Sequence, residues 1–452
     1  MNKFTRFSAR MGLVALGLKT RQLKIWEIIG TRVTIKQKVI THTPLEKLLD
    51  AFITILAGGQ GLVEINTCLR PDKAVQAAFG RENCADQSTV SDTLNACTDE
   101  TVEEMKEAMQ AIYQAHSQGY QHDYDTQEQL LDVDMSGMPA GRQGEEVTKG
   151  YFAGQKNRRG RQLGRVVATH YDEIVVDDLY SGKRQLDASL VDLVLAAEKV
   201  LELDEARRQR TILRADGGAG TDQNINWMLS RGYQILVKIK NWRRAQKLCQ
   251  SVTIWHPDPK VSGREVGWVE TPYPYARSTR QLGIRSLKKD GSWSYHVLVF
   301  ALSDASLFQL GRQPIRQSYT PQQTLFAALY AYDLRSGGVE TINRNSKQGL
   351  GLTRRNKKRF AAQMMLVLLA QLAYNLLTWT RHILAAHDPA FAKLRTLRLL
   401  RDVFTISGRV ELDAQGHLIL VFNQRHPWSH SFVSALSSSL AHDDLSLILG
   451  QI

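Results

Sequence analysis

Hydrophobic and polar positions along the chain predict regions of different structure. From Thr43 to about Gln121 the apolar residues recur at helical spacing, and Thr43 followed by Pro44 is a favourable helix start. From Glu128 onwards, short apolar runs rich in Val and Ile replace this spacing and indicate strands. Helical spacing returns at about Thr324. We therefore expect a multidomain α/β protein whose sheet is flanked in sequence by helical regions.

The stretch that begins at Glu128 predicts a mixed sheet. Strands are expected at 130–135, 163–171, 173–180, 211–215 and 233–239, with helices at 189–203 and 222–231. Three consecutive strands followed by alternating helices and strands indicate a mixed sheet with helices on its faces.

The alternation ends at about Asn241. The stretch 241–323 is rich in proline and tryptophan and contains short β-like runs, such as 294–302. Unstructured loops of this length are rare in compact domains, so we expect a β-rich insertion. Near the end of the chain, 403–412 and 417–423 predict a hairpin around a polar turn.

The net charge indicates which classes of molecule the protein binds, and the cysteines indicate the compartment in which it acts. The net charge of +13 favours a polyanionic partner, either nucleic acid or an anionic membrane surface. The four cysteines show no spacing typical of a disulfide scaffold or zinc cluster, which suits a reducing cytoplasm. The longest uncharged stretch, 360–380, contains Gln and Asn side chains that are costly in lipid, so we expect a buried core helix and no membrane span.

Two N-terminal features are candidates for binding nucleic acid. The first 40 residues hold nine Lys or Arg and one acid, which predicts a flexible or lightly structured basic arm; a solvated terminus is the alternative. Gln87–Asn95 predicts a short polar helix, which could be the second helix of a helix-turn-helix with Thr89, Asp92 and Thr93 facing outward. An ordinary polar helix of a bundle is the alternative for that segment.

The segment Leu131–Ser136 is the first candidate for chemistry. Strand side chains alternate, so Asp132, Asp134 and Ser136 share the face opposite to the apolar residues. Two carboxylates on one face of an apolar strand are costly to bury unless a cation or hydrogen-bond donors compensate. The alternative is a surface strand with a solvated polar face.

The segment Arg214–Gly220 is the second candidate. It lies where a buried strand ends and a helix is about to begin, which is the usual ligand side of an α/β sheet. Its glycines allow close approach of the backbone, but no Gly-Lys-Ser/Thr follows, so a nucleoside triphosphate site is not expected. Asp216 could otherwise simply flank the helix.

The segment Tyr332–Lys347 is the third candidate. If a helix begins near Gly338, the side chains of Glu340, Arg344 and Lys347 lie on one face at i, i+4 and i+7. An ordinary surface ion pair between Glu340 and Arg344 is the alternative, and such a pair contributes little to stability.

Taken together, Asp134, Asp216 and Glu340 resemble the acidic triad of DDE transposases, whose catalytic core is ribonuclease-H-like. The order of elements most resembles cut-and-paste bacterial insertion-sequence transposases, which have a β-rich insertion before the glutamate helix. The resemblance covers roughly residues 40 to 430.

These transposases carry a signature Y-(2)-R-(3)-E-(6)-K around the third acid. Tyr332 and Arg335 match its first two positions, and Glu340 to Lys347 has the full spacing, whereas four residues separate Arg335 from Glu340. The first acid usually stands in D-x-T or D-x-S, a pattern that Asp134–Ser136 matches. We therefore choose Asp134 over its strand neighbour Asp132, for which we expect a supporting role.

The resemblance implies that Asp134, Asp216 and Glu340 are catalytic and hold Mg²⁺ or Mn²⁺, as two ions. Phosphodiester hydrolysis and strand transfer develop charge on the attacking and leaving oxygens, which two ions about 3.5–4 Å apart can stabilise. Mg²⁺ prefers oxygen ligands, so three carboxylates suit it and no His or Cys ligand is needed. Arg335 and Lys347 would then hold phosphate.

Basic residues near these segments are candidates for contacting DNA. The run after the glutamate comprises Arg344, Lys347, Arg354, Arg355, Lys357, Lys358 and Arg359. No acid interrupts it, so we expect a track that faces DNA; solvated charge is the alternative. A second cluster, in a stretch that we expect to be rich in turns, comprises Lys156, Arg158, Arg159, Arg161 and Arg165.

We therefore expect a cytoplasmic, nucleoid-associated bacterial transposase that acts on double-stranded DNA. It would bind the inverted-repeat ends of its element, cleave them with divalent metal and join the 3′-hydroxyl ends to target DNA, as a homodimer in the DNA complex and without a membrane partner. The alternatives are a Mg²⁺-dependent structure-specific nuclease of the same fold and a catalytically silent DNA-binding protein derived from a transposase.

The expected regions follow the chain in order. They are a basic arm and helical DNA-binding region (1–125), the first part of the ribonuclease-H-like core (126–240), the β-rich insertion (241–323), the second part of the core with the glutamate helix (324–380), and a C-terminal helical and hairpin region (381–452).

Overall fold

A computed structural model of the chain describes residues 5–152, 155–314, 318–440 and 444–452. The helices include α1 (Met11–Gln22), α2 (Ile25–Gly30), α3 (Pro44–Leu56), α4 (Lys73–Ala78), α5 (Gln87–Ala96), α6 (Asp99–His116), α7 (Leu186–Leu201), α8 (Glu205–Gln209), α9 (Asp222–Ser230), α10 (Trp242–Cys249), α11 (Asp304–Leu310), α12 (Pro321–Asp333), α13 (Val339–Gln348), α14 (Phe360–His387), α15 (Thr396–Arg398) and α16 (Ser429–Leu440).

The strands include β1 (Thr5–Ser8), β2 (Gln129–Pro139), β3 (Thr148–Phe152), β4 (Gln155–Ala168), β5 (Glu173–Ser181), β6 (Thr211–Ala215), β7 (Gln234–Lys238), β8 (His256–Pro257), β9 (Arg264–Trp268), β10 (Arg280–Leu287), β11 (Trp293–Phe300), β12 (Gly408–Leu412), β13 (Leu418–Asn423) and β14 (Leu445–Gly450). Short 3₁₀ or π-helical turns lie at Ile65–Leu69, Thr169–Tyr171, Leu334–Gly337, Pro389–Lys393 and Leu399–Val403.

The described residues form two compact units, each assembled from separated stretches. The terminal unit comprises the described residues of 1–117, 139–147 and 343–452, and the central unit comprises those of 118–138 and 148–342. The linear region boundaries given above remain predictions.

The central unit is built on a mixed sheet, as the sequence predicts. β2 lies between β4 and β6, β7 follows β6, and β5 pairs with β4. β2, β6 and β7 are parallel, whereas β4 and β5 are antiparallel to each other. This order, with α7 between β5 and β6 in the chain and α9 between β6 and β7, is that of a ribonuclease-H-like core. The predicted strand 211–215 coincides with β6.

The predicted β-rich insertion continues the same sheet. β11 pairs antiparallel with β7, and β10, β9 and β8 add on beyond it. Along this sheet one face buries apolar side chains from successive strands, among them Ile212, Leu236 and Phe300. Helix α12 contributes Leu325 and Ala328 to the same cluster. Because α12 is anchored there, the chain that follows it reaches the carboxyl ends of the parallel strands.

The terminal unit is organised around the long helix α14. Among the described residues this is the one helix long and apolar enough to cross a membrane, and 94% of its most apolar window is buried inside the protein. Gln363, Gln371 and Asn375 are buried with it. The sequence-based prediction of a core helix is confirmed.

Helix α3 shows how local sequence fixes an element of this unit. The backbone N–H of Glu46 donates to Thr43 Oγ1 at 3.2 Å, and the Thr43 N–H donates to Glu46 Oε2 at 2.7 Å. This reciprocal capping box satisfies two N–H groups that the helix itself leaves unpaired. Pro44 at the first helical position needs no hydrogen bond there, so the predicted start at Thr43-Pro44 is confirmed.

The predicted basic arm is wrong for residues 5–30, whereas residues 1–4 lie outside the described part of the chain. β1 pairs antiparallel with β12, and α1 is almost fully buried, with Met11 and Leu13 at zero exposure. The apolar patch within α1 outweighs the scattered charges, since burying each large apolar side chain contributes about 1.5–3 kcal/mol. The Lys19 ammonium is used inside the unit, where it donates to the Ser439 carbonyl at 2.8 Å.

Helix α5 only partly matches the prediction for Gln87–Asn95. Asp86 caps the helix by accepting from the Ser88 N–H at 2.8 Å, and Thr89 and Asp92 are exposed. Thr93, expected to face outward, is fully buried and donates to Gln37 Oε1 at 2.6 Å. It lies one helical turn from the buried Val90, which places it on the packed face. The helix-turn-helix assignment remains a prediction.

Candidate active site

Strand register in the central unit sets ionisable side chains level with one another. Asp132 on β2 is opposite Arg214 on β6, and the paired residues Val133 and Ala215 follow. One further residue along each parallel strand brings Asp134 level with Asp216. Because level residues of neighbouring strands point to the same face, both carboxylates stand at the same edge of the sheet.

The inner layer of this edge is a closed ion pair. Arg214 donates through Nε to Asp132 Oδ1 at 2.6 Å and through Nη2 to Oδ2 at 2.7 Å. Thr169 Oγ1 also donates to Asp132 Oδ2, at 2.8 Å, and both charged side chains are buried. Arg214 Nη1 donates to the carbonyl of Ala331 on α12. Asp132 is therefore fully engaged, which suits the supporting role predicted for it.

The outer layer leaves its carboxylates less satisfied. Asp134 is 8% exposed and accepts from Arg335 Nη2 at 2.6 Å. The pKa of Asp134 is raised to about 6. Burial contributes most, the positive charge of Arg335 opposes it, and the negative charges of Asp216 and Glu340 add to it. The two other predicted acids are thus close enough to Asp134 to repel its charge.

Arg335 connects the first and third acids. Its Nη1 donates to Glu340 Oε1 at 3.0 Å while Nη2 holds Asp134. The guanidinium is buried, whereas 53% of the Glu340 side chain is exposed. Arg335 belongs to the 3₁₀ turn Leu334–Gly337, and Glu340 lies in the first turn of α13. The predicted helix start near Gly338 is confirmed.

Gly338 allows this turn to approach the inner ion pair. A Cβ at that position would lie 3.0 Å from Asp132 Oδ2 and 3.1 Å from Thr169 Cγ2. The close approach brings the start of α13 against the sheet edge, so a side chain at Gly338 would push away the turn that carries Arg335.

The glycine-rich loop after β6 shapes the second acid. The Gly218 N–H donates to Asp216 Oδ1 at 2.8 Å, which fixes the carboxylate orientation. A Cβ at Gly220 would lie 1.9 Å from the Lys238 carbonyl oxygen, so only glycine fits there. The loop thus packs closely on the end of β7.

Tyr332 lies with the same charged groups. Burial raises the pKa of its hydroxyl to about 12, with Arg335 opposing this and the carboxylates of Asp216 and Glu340 adding to it. The tyrosine therefore stays protonated and available as a hydrogen-bond donor at neutral pH.

The donor chemistry of this edge suits a hard divalent cation. The groups that converge are carboxylates, which Mg²⁺ and Mn²⁺ prefer over nitrogen or sulfur ligands. In the described part of the chain no three His, Cys, Asp or Glu side chains lie close enough to enclose an ion. At this edge the Arg335 guanidinium pairs with both Asp134 and Glu340. Two polar atoms, Arg335 Nε and Ser136 Oγ, are buried here without a hydrogen-bond partner, so the protein alone does not satisfy the site.

Two residues of this edge were missed by the sequence analysis. Arg214 begins the segment Arg214–Gly220 described above, but no feature of the neighbouring sequence identifies it as the partner of Asp132. Lys238 ends β7, and the register of Ala215 with Val237 brings it level with Asp216. A lysine at the carboxyl end of a buried strand next to the strand of Asp216 was the available signal.

Of the basic residues after Glu340 that are predicted to contact DNA, two lie on α13 and the others lie in the chain that follows it. Arg344 is exposed and Lys347 half-buried, and both follow Glu340 on α13. Arg354 and Lys358, in the terminal unit, are exposed. The half-buried Lys357 donates to Ser91 Oγ at 2.5 Å.

The prediction that Arg355 faces DNA is wrong. Its residue exposure is 5%, its guanidinium donates to the carbonyls of Leu350 and Gly59, and burial lowers its pKa to about 10. It serves as an internal brace of the terminal unit, since a planar guanidinium can bind several carbonyls at once. Adjacent basic residues in a turn point in different directions, so charge density alone did not separate Arg355 from Arg354.

The cluster predicted between residues 156 and 165 is also corrected. These residues belong to β4 and not to a turn-rich stretch, and the side chain of Lys156 lies outside the described residues. Arg161 and Arg165 are 1% exposed, and Arg165 forms a buried two-point ion pair with Asp177 at 2.6 and 2.7 Å. Alternate side chains of a strand point to the same face, so Arg161 and Arg165 of this basic cluster both point into the core.

Arg355 and Arg354 give a matched test of this division. Arg355→Ala is expected to lower the free energy of unfolding by about 1–3 kcal/mol, because two buried carbonyls lose their donor. Arg354→Ala is expected to leave stability within about 0.5 kcal/mol, as surface substitutions usually do. Urea unfolding of the full chain measures both, and equal losses would contradict the assignment of Arg355 as a brace.

Comparisons with known proteins were made over the whole chain. A family model described as transposase DDE domain group 1 matches residues 5–442. No curated protein matches the chain. Among solved structures, the chain is similar to the cryo-EM structure of a piggyBac transposase synaptic complex with hairpin DNA, with a TM-score of 0.45 and 11% sequence identity. That alignment covers 97% of this chain and 85% of the other.

Proposed function

Because this chain belongs to the DDE-domain transposases of group 1, we propose that it binds the ends of a DNA element, cleaves them and joins the 3′-hydroxyl ends to target DNA. One observation supports this most: strand register sets Asp134 beside Asp216, and Arg335 joins Asp134 to Glu340. Three carboxylates from distant parts of the sequence thus share one neighbourhood. A purely structural role does not account for this, since it leaves the buried Asp134 carboxylate close to two like charges.

The proposed cofactor is Mg²⁺ or Mn²⁺. Members of this family generally use divalent metal ions. Asp134, Asp216 and Glu340 are the residues that would hold two such ions, and the ions would stabilise the charge on the attacking and leaving oxygens. Burial is the main cause of the raised pKa of Asp134, and the charges of Asp216 and Glu340 add to it; a cation bound at these carboxylates would offset both effects.

Arg335 and Tyr332 are proposed to contact the phosphate. Arg335 carries a buried Nε–H without a partner, and its guanidinium presents a planar set of donors that matches phosphate oxygens. Tyr332 keeps its hydroxyl proton and can donate alongside it. Asp132 and Arg214 act beneath them as the support that holds β2, β6 and α12 together.

The DNA partner is proposed from charge. The net charge of +13 gives the chain a long-range attraction for double-stranded DNA. Arg344, Lys347, Arg354 and Lys358 are the proposed phosphate contacts, with Lys357 held partly by Ser91. We further propose action in the bacterial cytoplasm at the nucleoid, and a homodimer in the DNA complex so that two element ends are processed together.

The test uses the full chain and labelled duplexes taken from the DNA that flanks its gene. Cleavage at the boundary of an inverted repeat with Mg²⁺ or Mn²⁺, followed by joining of the 3′ end to a plasmid, is the expected result. EDTA and a duplex of the same composition but scrambled sequence are the controls. Cleavage without joining would instead identify a nuclease, and binding without cleavage would identify a silent DNA-binding protein.

A further inference from the structure

Lys238 is a third ionisable residue at the edge of the sheet that holds Asp134 and Asp216. It is the last residue of β7, and Ala215 and Val237 are the preceding pair in the register of β6 with β7. Lys238 is therefore level with Asp216 and on the same face. Its side chain passes beside the loop that follows Asp216, because a Cβ at Gly217 would lie 4.0 Å from Lys238 Cγ.

The half-buried Lys238 ammonium differs from four buried or half-buried arginines of the central unit. Arg165, Arg214, Arg264 and Arg335 each form an ion pair shorter than 3 Å. Within the part of the chain that the structure describes, Lys238 Nζ makes no hydrogen bond or ion pair. A partly buried ammonium without a partner is costly, so its retention calls for an anion that arrives from outside.

The charges around Lys238 point the same way. Burial lowers the pKa of Lys238. The negative charges of Asp216 and Asp333 raise this pKa, and the positive charge of Arg335 lowers it. His296 on β11 is neutral at neutral pH, because burial and then the positive charge of Lys238 lower its pKa to about 4. Nothing among these neighbours neutralises the ammonium by direct contact.

We propose that Lys238 positions the scissile phosphate, with its ammonium bound to a non-bridging oxygen of the phosphodiester that lies over Asp134 and Asp216. A lysine suits this task as a compact point charge on a flexible stem. It would hold the phosphate from the β7 side while Arg335 holds it from the α13 side. The inference rests on the proposed function and adds to it a residue outside the acidic triad and its signature.

Variants of Lys238 test the role of its charge. Lys238→Met keeps the apolar stem and removes the charge, and Lys238→Arg keeps the charge. The control is Lys240→Gln, since Lys240 is exposed and its Nζ is bonded to Asp187 Oδ2 at 2.6 Å. Single-turnover cleavage of the flanking-DNA duplex, the Kd for that duplex and thermal unfolding are measured for each.

The expected result is a loss of rate without a loss of binding. Lys238→Met should cleave about 100-fold more slowly at saturating DNA, the effect of losing one preorganised donor to developing charge. Its Kd and melting temperature should stay close to those of the parent, Lys238→Arg should recover much of the rate, and Lys240→Gln should cleave normally. A purely structural role would not be rescued by arginine in this way.

A phosphorothioate at the scissile position identifies the atom. In the parent protein, sulfur in place of the contacted oxygen should slow cleavage, and this penalty should shrink in Lys238→Met because the contact is already lost. Parent-like cleavage by Lys238→Met, or an unchanged sulfur penalty with both diastereomers, would overturn the inference while leaving the proposed function intact. Failure of the parent protein to cleave any flanking duplex would remove both.

Discussion

Replacing Asp134 with asparagine is expected to lower the rate of end cleavage by about 10²–10³-fold, the usual cost of removing one charge-stabilising group from a site. The asparagine keeps the shape and can still accept from Arg335, so the loss reports on charge and metal binding. Folding and binding of DNA ends should persist, because Arg335 keeps its ion pair with Glu340 and the repulsion of Asp134 by Asp216 and Glu340 is removed. Glu340→Gln should behave in the same way.

Single-turnover cleavage at saturating protein, with the Kd measured separately, checks this expectation. Asp192→Asn is the matched control, since it removes a carboxylate whose side chain is 57% exposed and pairs with Arg184. That control should cleave at the parent rate. Full cleavage by Asp134→Asn would exclude this residue as a metal ligand.

Breaking the inner ion pair should have the largest effect on stability. Asp132→Asn or Arg214→Met leaves one buried charge without its partner, which typically costs about 3–5 kcal/mol of unfolding free energy. Arg214→Met also removes the donor to the Ala331 carbonyl and thereby loosens the end of α12. Loss of activity in these variants should therefore follow loss of folded protein, unlike the loss in Asp134→Asn.

Urea unfolding of the full chain measures this cost. The exposed Arg184–Asp192 pair is the control, because breaking an exposed pair costs at most about 1 kcal/mol. Replacing both partners, Asp132→Leu with Arg214→Met, should recover most of the stability, since no unpaired charge remains. If Asp132→Asn has the same free energy of unfolding as the parent, the ion pair does not stabilise the fold and Asp132 needs another explanation.

Much of the central unit could be predicted because its signals are local. The apolar run of β6 and the Val- and Ile-rich β5 each lie within a few residues. Asp134 was distinguished from Asp132 by a two-residue motif alone. The structure adds the physical difference, namely that one carboxylate is consumed by Arg214 and the other is shared with Arg335.

The remaining features depend on contacts between distant segments. No pattern around Lys238 reveals that it is level with Asp216, because the register of parallel strands is set by packing across the whole sheet. Arg355 and Arg354 are neighbours with the same charge, yet only Arg355 meets Gly59, almost three hundred residues earlier in the chain. Thr93 was assigned by its polarity, whereas Gln37 supplies it with a buried partner.

The pairing of β1 with β12 also bears on how the protein is made. A chain emerges from the ribosome with its N-terminus first, at about 5–20 residues per second. Strand β1 is synthesised long before β12, with which it pairs, and α3 and α5 are synthesised long before α14, against which they pack. The central unit, which carries the candidate active site, is complete in sequence before β12 and α14 are synthesised. The apolar surfaces of α3 and α5 that α14 covers therefore stay exposed during that interval, which gives these helices a need for protection from aggregation during synthesis.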